Sequence, residues 1–421
     1  MRIEVLREVR GPRACESDVL VVGGGAAGLM AAVVAARTGA AVTLLERGER
    51  VGKKVLATGN GRCNLSNTAI EGASGSAYYN NPDFVAPTLS RYGCEVVRAF
   101  FEELGLLTIA DERGWVFPRT RSANSVLDVL WAQVRRLGVE VHTGCTARRL
   151  SADAHDEHSE HRRLLVETDK QDFAGRAVVL ACGVVPDLAA LACQQTLGAT
   201  PILGPLKTAA EPLKGLDGLR VNCRVRLLDG RACVGEETGE ILFRNYGVSG
   251  IAIFNLSRLA SPGQVLSLDL FPELTEAELM ALLTERLRLL AGPLRPSAEL
   301  NAADFLTGTL HARLALAVLS AAGLRPTEVL NPTALPRLAH VLKDYRLAVR
   351  GGPTEVQAQV TRGGLDPQQF SPATLESRTH PGLFAAGECL SIDGPCGGFN
   401  LHWAWSSALL AAIQATAAMR S

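Results

Sequence analysis

The stretch "DVLVVGGGAAGLMAAVVAARTGAAVTLLE", residues 18 to 46, decides the fold. It starts with an apolar run, Val19 to Val22, which suits a central parallel strand that is buried on both faces. A glycine-rich turn, a helix of small residues and a second apolar run that ends at Glu46 follow. This succession of strand, turn, helix and strand predicts a Rossmann-like α/β domain that binds a dinucleotide.

The turn carries Gly23, Gly25 and Gly28 at the spacing G-x-G-x-x-G. We expect Gly23 to form the tight turn, Gly25 to let the backbone approach a pyrophosphate, and Gly28 to let the helix pack closely. The N–H groups at the helix start, at Ala26 and Ala27, would then bind phosphate oxygens with support from the helix dipole. Such anion binding needs no charged side chain.

Glu46 stands at the end of the second predicted strand. A carboxylate there would accept hydrogen bonds from ribose hydroxyls and would repel a 2′-phosphate. Strand, glycine turn, helix and terminal acid together argue against an ordinary glycine-rich turn without a ligand. At this point the pattern leaves both FAD and NAD open.

The composition excludes several classes of protein. The 421 residues contain 43 basic and 43 acidic side chains, so the net charge gives no reason to expect a polyanionic partner. The first residues lack the apolar core of a signal peptide, and no apolar tract reaches the roughly 20 residues of a membrane span. Ten cysteines occur without a CxxC pair. We therefore expect a cytoplasmic protein with reduced thiols, no membrane partner and an oligomeric state that stays open.

Three further segments carry a family resemblance. They are "GERVGKKVLATGNGRCNLSN" (48 to 67), "GEILFRNYGVSG" (239 to 250) and "GLFAAGECLSIDGPCGGFNL" (382 to 401). With the glycine fingerprint they resemble the BaiN/YhiN-like family of FAD-dependent oxidoreductases, also described as the aminoacetone oxidase family, along nearly the whole chain. The resemblance implies a flavoprotein with FAD as its cofactor.

The resemblance also implies where FAD binds. The ADP half would lie at the fingerprint and Glu46, the ribityl chain at Gly387, and the isoalloxazine beside the bare backbone of Gly397 and Gly398. The residues expected at the cofactor are Gly23, Gly25, Ala26, Ala27, Gly28, Glu46, Arg47, Lys53, Asn60, Gly61, Arg62, Cys63, Asn64, Gly387, Glu388, Gly397, Gly398, Phe399, Asn400 and Leu401.

Both ends of the chain must then contribute to one cofactor site, so we expect a discontinuous FAD-binding domain, residues 1 to 190 and 346 to 421. Residues 191 to 345 would form an inserted substrate domain. Its first part, 191 to 270, alternates polar and apolar residues as a small β-barrel or sandwich does. Its second part, 271 to 345, has helical periodicity and a capping box at Thr275 and Glu278.

The resemblance implies an NAD(P)H-driven reductase of an activated C=C bond, in a small conjugated carbonyl compound or a pyrimidine base. Two alternatives are an oxidase of a small amine such as aminoacetone and a uridine reductase that acts on ribosomal RNA. A third class is a non-catalytic flavoprotein that docks RNA through Arg220, Arg224 and Arg226, although these side chains could simply be solvated. Since the chain lacks a second glycine fingerprint, NAD(P)H would visit the flavin only transiently.

Reduction of a conjugated C=C bond needs a proton donor and a group that polarises the carbonyl. The candidates are Tyr246, Arg244, His402 and Cys396. For each there is a structural alternative: packing or an ion pair for Tyr246 and Arg244, a core or capping position for His402, and a buried inert thiol for the cysteine.

Two other patterns are expected to have no part in the chemistry. His155, His158 and His161 lie in a polar loop, "SADAHDEHSEHRR", whose charged neighbours offer no rigid support for ligands, so we expect no metal site there. Trp403 and Trp405 follow the last glycine turn at helical spacing. We expect both indoles to serve as core.

Overall fold

The computed structural model describes residues 15–152, 163–290 and 300–419. The histidine loop, with His155, His158 and His161, lies outside these residues. The chain divides into two compact units. Unit 1 comprises Met1–Thr200 and Val360–Ser421, and unit 2 comprises Pro201–Gln359.

The strands are, in chain order, Cys15–Val22 (β1), Val42–Glu46 (β2), Ser66–Asn67 (β3), Thr108–Ala110 (β4), Trp115–Pro118 (β5), Glu140–Thr143 (β6), Ala147–Ala152 (β7), Leu164–Thr168 (β8), Phe173–Leu180 (β9), Thr196–Ile202 (β10), Leu206–Thr208 (β11), Arg220–Asp229 (β12), Ala232–Arg244 (β13), Gly247–Ser249 (β14), Val265–Asp269 (β15), Tyr345–Gly351 (β16), Val360–Leu365 (β17) and Leu383–Ala385 (β18).

The α-helices are Ala26–Arg37 (α1), Lys53–Ala57 (α2), Pro82–Arg91 (α3), Cys94–Glu103 (α4), Ala123–Arg136 (α5), Leu188–Ala192 (α6), Ile251–Ser257 (α7), Glu276–Leu290 (α8), Ala302–Leu306 (α9), Ala312–Ala321 (α10), Leu335–Lys343 (α11) and Phe399–Ala418 (α12). Among the described helices, none is both long enough and apolar enough to cross a bilayer.

A seven-stranded sheet organises unit 1, with the path β6-β2-β1-β9-β8-β7. Strands β6, β2, β1 and β9 run parallel, and β1 is fully buried from Val19 to Val21 because α1 and α12 pack together in the same core. The free side of β9 is shared, since β8 pairs with its first residues and β18 with its last. The predicted buried parallel strand and Rossmann-like fold are confirmed.

Strand β18, from the C-terminal part of the chain, joins the same sheet as β1 from the N-terminal part. Leu383 pairs with Val178 and Ala385 with Leu180, in parallel register. The residues after β18 therefore emerge at the same edge as the glycine turn after β1. In open α/β sheets this carboxyl edge is where ligands bind.

A closed barrel with the strand order β11-β14-β13-β12-β15-β16 forms the β part of unit 2, as the alternating pattern predicted. In β12, Cys223, Val225 and Leu227 are buried, whereas the arginines between them point outward and are half-buried. The helices α8 to α11 follow and share the apolar core of this unit. The capping box is confirmed, since the Glu278 carboxylate accepts the Thr275 N–H at 2.8 Å and Thr275 Oγ1 accepts the Glu278 N–H at 3.2 Å.

The boundaries of unit 2, 201 and 359, lie later in the chain than the predicted 191 and 345. Residues up to Thr200 stay in unit 1 because β10 pairs with β17. Strand β16, which we had expected in the cofactor domain, pairs with β11 and β15 and closes the barrel. Both shifts come from pairing between strands distant in sequence, which local periodicity does not report.

Candidate cofactor and active site

The turn after β1 owes its glycines to three different causes. Gly23 has φ +111°, and a Cβ there would lie 2.5 Å from the Ala181 carbonyl oxygen. A Cβ on Gly28 would overlap the Gly23 carbonyl oxygen, so only glycine lets α1 pack this close to the turn. A Cβ on Gly25 would have no heavy atom within 4 Å. Gly25 therefore borders open space, while the other two glycines are required by the protein backbone.

The N-terminus of α1 is suited to an anion. Gly25 is its N-cap residue, no side chain caps the first turn, and the first turn contains no acidic residue. The first N–H groups of a helix have no partner within the helix, and they carry the positive end of its dipole. Backbone donors at Ala26 and Ala27 thus lie next to the open space at Gly25.

Glu46 is anchored by the backbone. Its Oε2 accepts the Gly24 N–H at 2.7 Å, and its Oε1 accepts the Gly48 N–H at 2.6 Å. A carboxylate offers about four lone-pair positions, so these two bonds fix its orientation and leave capacity for two hydroxyl donors. The sequence predicted the position of this acid but not the bonds that hold it.

The C-terminal segment contacts the start of α1 through Gly387. This residue follows β18 with φ +72°, and a Cβ on it would lie 2.9 Å from the Cβ of Ala27 in α1. Its N–H donates to Ser407 Oγ at 2.9 Å, and its carbonyl accepts from Trp403 Nε1 at 3.2 Å. The two glycine-lined segments therefore converge, as predicted.

An ion pair crosses the end of β9. Lys54 Nζ lies 3.1 Å from Glu388 Oε2, and Glu388 Oε1 accepts the Thr361 N–H at 2.9 Å. A Cβ on Gly183 would lie 3.5 Å from Glu388 Oε2 and 3.7 Å from Lys54 Nζ. The lysine that makes this contact is Lys54, whereas its neighbour Lys53 is the one expected at the cofactor. Lys53 and Arg47 are exposed in unit 1.

The segment after α2 is an exposed left-handed turn. Asn60 and Gly61 have φ +54° and +82°, and both are exposed, as is Arg62. A non-glycine residue in this region costs about 1–3 kcal/mol and tends to persist at functional sites. Cys63, however, is fully buried, and burial raises its thiol pKa to about 11. A side chain without accessible surface cannot touch a ligand, so the Cys63 thiol is corrected to the core, and Asn64 is buried as well.

The C-terminal loop, residues 391 to 398, is packed against other segments of unit 1. A Cβ on Gly398 would overlap the Ser66 carbonyl oxygen, and one on Gly397 would lie 2.8 Å from Trp115 Nε1. The structure thus gives these glycines a different cause from the one expected. They admit neighbouring protein atoms, and this packing suffices to explain them.

Polar side chains hold the same loop. Asn80 accepts the Asp393 N–H at 2.9 Å and donates to the Ser391 carbonyl at 3.1 Å. Asn400, expected at the flavin, instead accepts the Gly394 N–H and donates to the Gly394 carbonyl, both at 2.9 Å. The bonds of Asn400 therefore fold it back onto the loop before α12.

The first residues of α12 are only partly accessible. Phe399 is buried, and its carbonyl accepts the Tyr79 hydroxyl at 2.8 Å. Leu401 is half-buried. Of this predicted group, Gly398, Asn400 and Leu401 are half-buried, whereas Gly397 and Phe399 are buried.

A family model described as "HI0933-like protein Rossmann domain" matches residues 17–414. The chain belongs to the HI0933-like family. This confirms the resemblance to the BaiN/YhiN-like proteins, and the chain is accordingly an FAD-dependent oxidoreductase.

Relatives with established names cover nearly the whole chain. The HI0933-like protein is 34% identical over 414 residues to a 3-dehydro-bile acid delta(4,6)-reductase of Clostridium scindens, which covers 93% of this chain and 97% of the relative. It is 28% identical over 419 residues to the ribosomal RNA dihydrouridine synthase of Escherichia coli, covering 96% and 99%. A 3-ketosteroid-delta4-(5alpha)-dehydrogenase from Rhodococcus jostii RHA1 shares the fold, with a TM-score of 0.50, 18% identity, and coverage of 96% and 97%.

Unit 1 of the HI0933-like protein fits FAD. Open space at Gly25 adjoins uncapped backbone donors, and Glu46 is oriented at the end of the neighbouring strand. Gly387, which begins the C-terminal contribution, touches α1 directly. These groups supply anion binding and hydroxyl acceptance, which are what the pyrophosphate and ribose of a dinucleotide require.

His402 is corrected from a catalytic candidate to a core residue. It is fully buried, its Nδ1 lies 2.9 Å from Ser66 Oγ, and its Nε2 lies 3.1 Å from the Tyr92 carbonyl. Burial lowers its pKa to about 4, so the ring is neutral at pH 7. The ring therefore has no access to a substrate. Trp403 and Trp405 are fully buried too, which confirms that they serve as core.

Arg244 and Tyr246 lie in unit 2, around the two-residue hairpin turn between β13 and β14. Arg244 Nε is 3.8 Å from Asp217 Oδ1, with 43% of the arginine side chain exposed, and Tyr246 is half-buried. A cavity of about 400 Å³ near this turn is lined in part by Asp217 and Asn245. Cys396 lies in the C-terminal loop of unit 1 and is half-buried. Tyr246, Arg244 and Cys396 remain candidates.

Proposed function

We propose that the HI0933-like protein reduces a C=C bond conjugated with a carbonyl group in a small molecule, with NAD(P)H as the electron donor. In the overall reaction, the unsaturated carbonyl compound, NAD(P)H and one proton give the saturated carbonyl compound and NAD(P)⁺. The observation that carries the proposal is the 34% identity, over nearly the full length of both chains, to a reductase of this kind.

When bound, FAD supplies the two-electron hydride transfer. Its ADP half would be held by the backbone donors at Ala26 and Ala27 and by the anchored Glu46. The 20-residue helix α12 begins at the C-terminal loop without an acidic residue in its first turn. Its positive end would favour negative charge on a group bound there.

Two further roles fall to side chains of the protein. The substrate needs one proton, and its carbonyl oxygen must be polarised while the double bond accepts a hydride. We assign the proton to the Tyr246 hydroxyl and the polarisation to the Arg244 guanidinium. Cys396 is the alternative proton donor in the C-terminal loop.

Two relatives are named ribosomal RNA dihydrouridine synthases, which makes RNA uridine a second candidate substrate. Uridine also contains a C=C bond conjugated with a carbonyl, so the chemistry is the same. The arginines of β12 argue against an RNA-binding face. Arg220 is paired with Glu240, and Arg224 and Arg226 lie 3.8 and 3.9 Å from the Glu236 carboxylate. These glutamates offset the charge that phosphates would contact.

The proposed function is tested by anaerobic stopped-flow absorbance of the flavin-loaded protein. NADH or NADPH should bleach the flavin band, and an unsaturated 3-ketosteroid such as 4-androstene-3,17-dione should restore it. Recovery with ribosomal RNA but not with the steroid would move the function to the RNA candidate. Failure of both nucleotides, combined with rapid oxygen uptake on addition of aminoacetone, would establish the amine oxidase alternative.

The side-chain assignments have their own controls. Tyr246→Phe removes the proposed proton donor, and we expect it to slow flavin reoxidation by the enone about 10²-fold or more while bleaching by NAD(P)H stays unchanged. Arg220→Gln, on the exposed barrel face, is the matched control and should leave both steps intact. Equal rates for Tyr246→Phe and the parent protein would remove Tyr246 from the mechanism.

A further inference from the structure

The C-terminal loop contains a carboxylate that is almost completely withdrawn from solvent. Asp393 is 1% exposed. From β17, Arg362 reaches it with a two-pronged contact, in which Nε donates to Oδ2 at 2.8 Å and NH2 donates to Oδ1 at 2.8 Å. Paired contacts of this geometry are the strongest and most directional ion pairs that side chains form.

Each partner of this pair depends on the other, because a buried carboxylate is stable only when an opposite charge and hydrogen-bond donors face it. The hydrogen bonds that Arg362 donates to the Asp393 side chain raise the pKa of Arg362, so the guanidinium keeps its charge. Asp393 is also bonded through its backbone, since its N–H donates to Asn80 Oδ1 and its carbonyl accepts the Asn80 N–H at 3.1 Å. Removal of the guanidinium would therefore disturb the backbone of the loop as well as one side chain.

Strand β17 holds both parts of the segment that follows β18. The N–H of Thr361 donates to Glu388, and the next side chain, Arg362, holds Asp393. Two residues further on, Gly364 packs its backbone against Cys389, because a Cβ there would lie 2.5 Å from the Cys389 carbonyl oxygen. One strand thus sets the place of Glu388 and of the C-terminal loop together.

We propose that Arg362 is a positioning residue for the flavin end of the cofactor. Arg362 holds Asp393, and Asp393 in turn fixes the loop that leads into α12. The inference rests on the proposed function only in placing FAD at unit 1, and it is independent of the substrate. The pair fixes where the first N–H groups of α12 lie, and those groups favour negative charge on a bound ligand. Loss of the pair should therefore weaken FAD binding and disfavour the more negatively charged, reduced cofactor.

Four variants and one control test the proposal: Arg362→Gln, Arg362→Lys, Asp393→Asn, the double variant Arg362→Gln/Asp393→Asn, and Arg378→Gln. Arg378 is an exposed arginine of the same unit whose Nε donates to the Gln368 backbone carbonyl at 3.1 Å, and its variant should behave like the parent protein. The measurements are the FAD dissociation constant by fluorescence titration of the apoprotein, the midpoint potential by equilibration with a redox dye, and thermal unfolding of the apoprotein.

Arg362→Gln should raise the FAD dissociation constant at least tenfold. If the variant binds the reduced cofactor a further tenfold more weakly than the oxidised cofactor, relative to the parent protein, the midpoint potential of the bound flavin falls by about 30 mV for two electrons. Arg362→Lys keeps the positive charge but loses the two-pronged contact with the carboxylate. Its FAD affinity should therefore lie between that of Arg362→Gln and that of the parent protein. The double variant should bind FAD better than Arg362→Gln, because its two amides can bond each other and no carboxylate is left unmatched.

A purely structural role would give a different pattern. Arg362→Gln would then unfold at a lower temperature while its folded fraction bound FAD with the parent affinity and potential, and that result would overturn the proposal. If Arg362→Gln does not fold, the folded double variant decides, since parent-like affinity and potential in the double variant also overturn it. Lack of FAD binding by the parent protein would instead refute the cofactor placement, and with it the proposed function.

Discussion

Two glycine-lined segments of unit 1 look alike in sequence and differ in structure. At the turn after β1, the middle glycine, Gly25, borders open space beside an uncapped helix start. In the C-terminal loop, Gly397 and Gly398 are pressed against protein, and side chains from distant positions hold the loop in place. Gly25 in the first segment leaves room for a ligand, whereas Gly397 and Gly398 in the second leave room for the protein itself.

The difference teaches how a glycine motif works in each case. The turn is set by strand β1, helix α1 and the backbone contact at Gly28, with further contacts from Ala181 and Glu46 in the neighbouring strand ends. The C-terminal loop depends on partners such as Asn80 and Arg362, which lie hundreds or tens of residues away in sequence. Substitutions can separate these two uses of glycine.

The largest effect is expected where a new Cβ would strike backbone. Gly28→Ala would drive a methyl group into the Gly23 carbonyl, and Gly398→Ala would strike the Ser66 carbonyl at a left-handed φ of +101°. Each should lower the free energy of unfolding of unit 1 by more than about 3 kcal/mol, or prevent folding. The four tryptophans, at 115, 131, 403 and 405, all lie in unit 1, so their fluorescence during urea unfolding follows that unit. Parent-like unfolding of Gly398→Ala would show that the loop is not packed as described.

The next effect separates ligand binding from folding. Gly25→Val should reduce FAD affinity at least about 100-fold, because the branched side chain occupies the open space beside the helix start. The apoprotein should unfold nearly as the parent apoprotein does, since a Cβ at this position meets no protein atom within 4 Å. The two quantities are checked by flavin fluorescence titration and by urea unfolding without FAD. Full FAD occupancy of this variant would refute the placement of the pyrophosphate.

A smaller effect concerns how the free energy of unfolding depends on pH, and it arises at His402 of α12, beside the C-terminal loop. His402 of α12 contacts Ser66, whose carbonyl faces Gly398, and its pKa falls from 6.5 to about 4 on burial. Between these values the unfolded state binds a proton that the folded state does not, so stability decreases as the pH falls from about 6.5 toward 4. At pH 5 the loss relative to pH 8 should be about 2 kcal/mol from this group. His402→Gln should remove that part of the pH dependence in urea unfolding, and identical pH dependence of the two proteins would contradict the burial of a neutral ring.

The smallest effect is expected at the exposed ion pair that crosses the end of β9. Lys54 is 72% exposed, and exposed pairs contribute little. Lys54→Met should therefore change FAD affinity by less than about fivefold, in contrast to Gly25→Val. Titration at low and high salt checks this, because the parent protein should approach the variant as salt screens the pair. A loss as large as that of Gly25→Val would mean that Lys54 itself binds the cofactor.

Local patterns predicted what local chemistry determines. The fingerprint predicted strand, turn and helix, the alternation within residues 191 to 270 predicted a barrel or a sandwich, and Thr275 with Glu278 predicted a helix start. The sequence did not reveal β16 as a barrel strand or the pair of Arg362 with Asp393, and for Cys63 and His402 it left a buried position and a place in the site both open. All of these depend on contacts between distant parts of the chain, and a single arginine in "VTRGG" or aspartate in "SIDG" carries no periodicity that would announce such a contact.

The two-segment make-up of unit 1 has a consequence for synthesis on the ribosome. Its first segment emerges with β1, α1 and β9, whereas β18, which pairs with β9, and α12, which packs on α1, are translated only after the whole of unit 2. Unit 2 is continuous and can complete its barrel earlier. The first segment must therefore keep apolar surface uncovered until β18 and α12 emerge, and such exposed surface raises the risk of aggregation and the need for chaperones during synthesis.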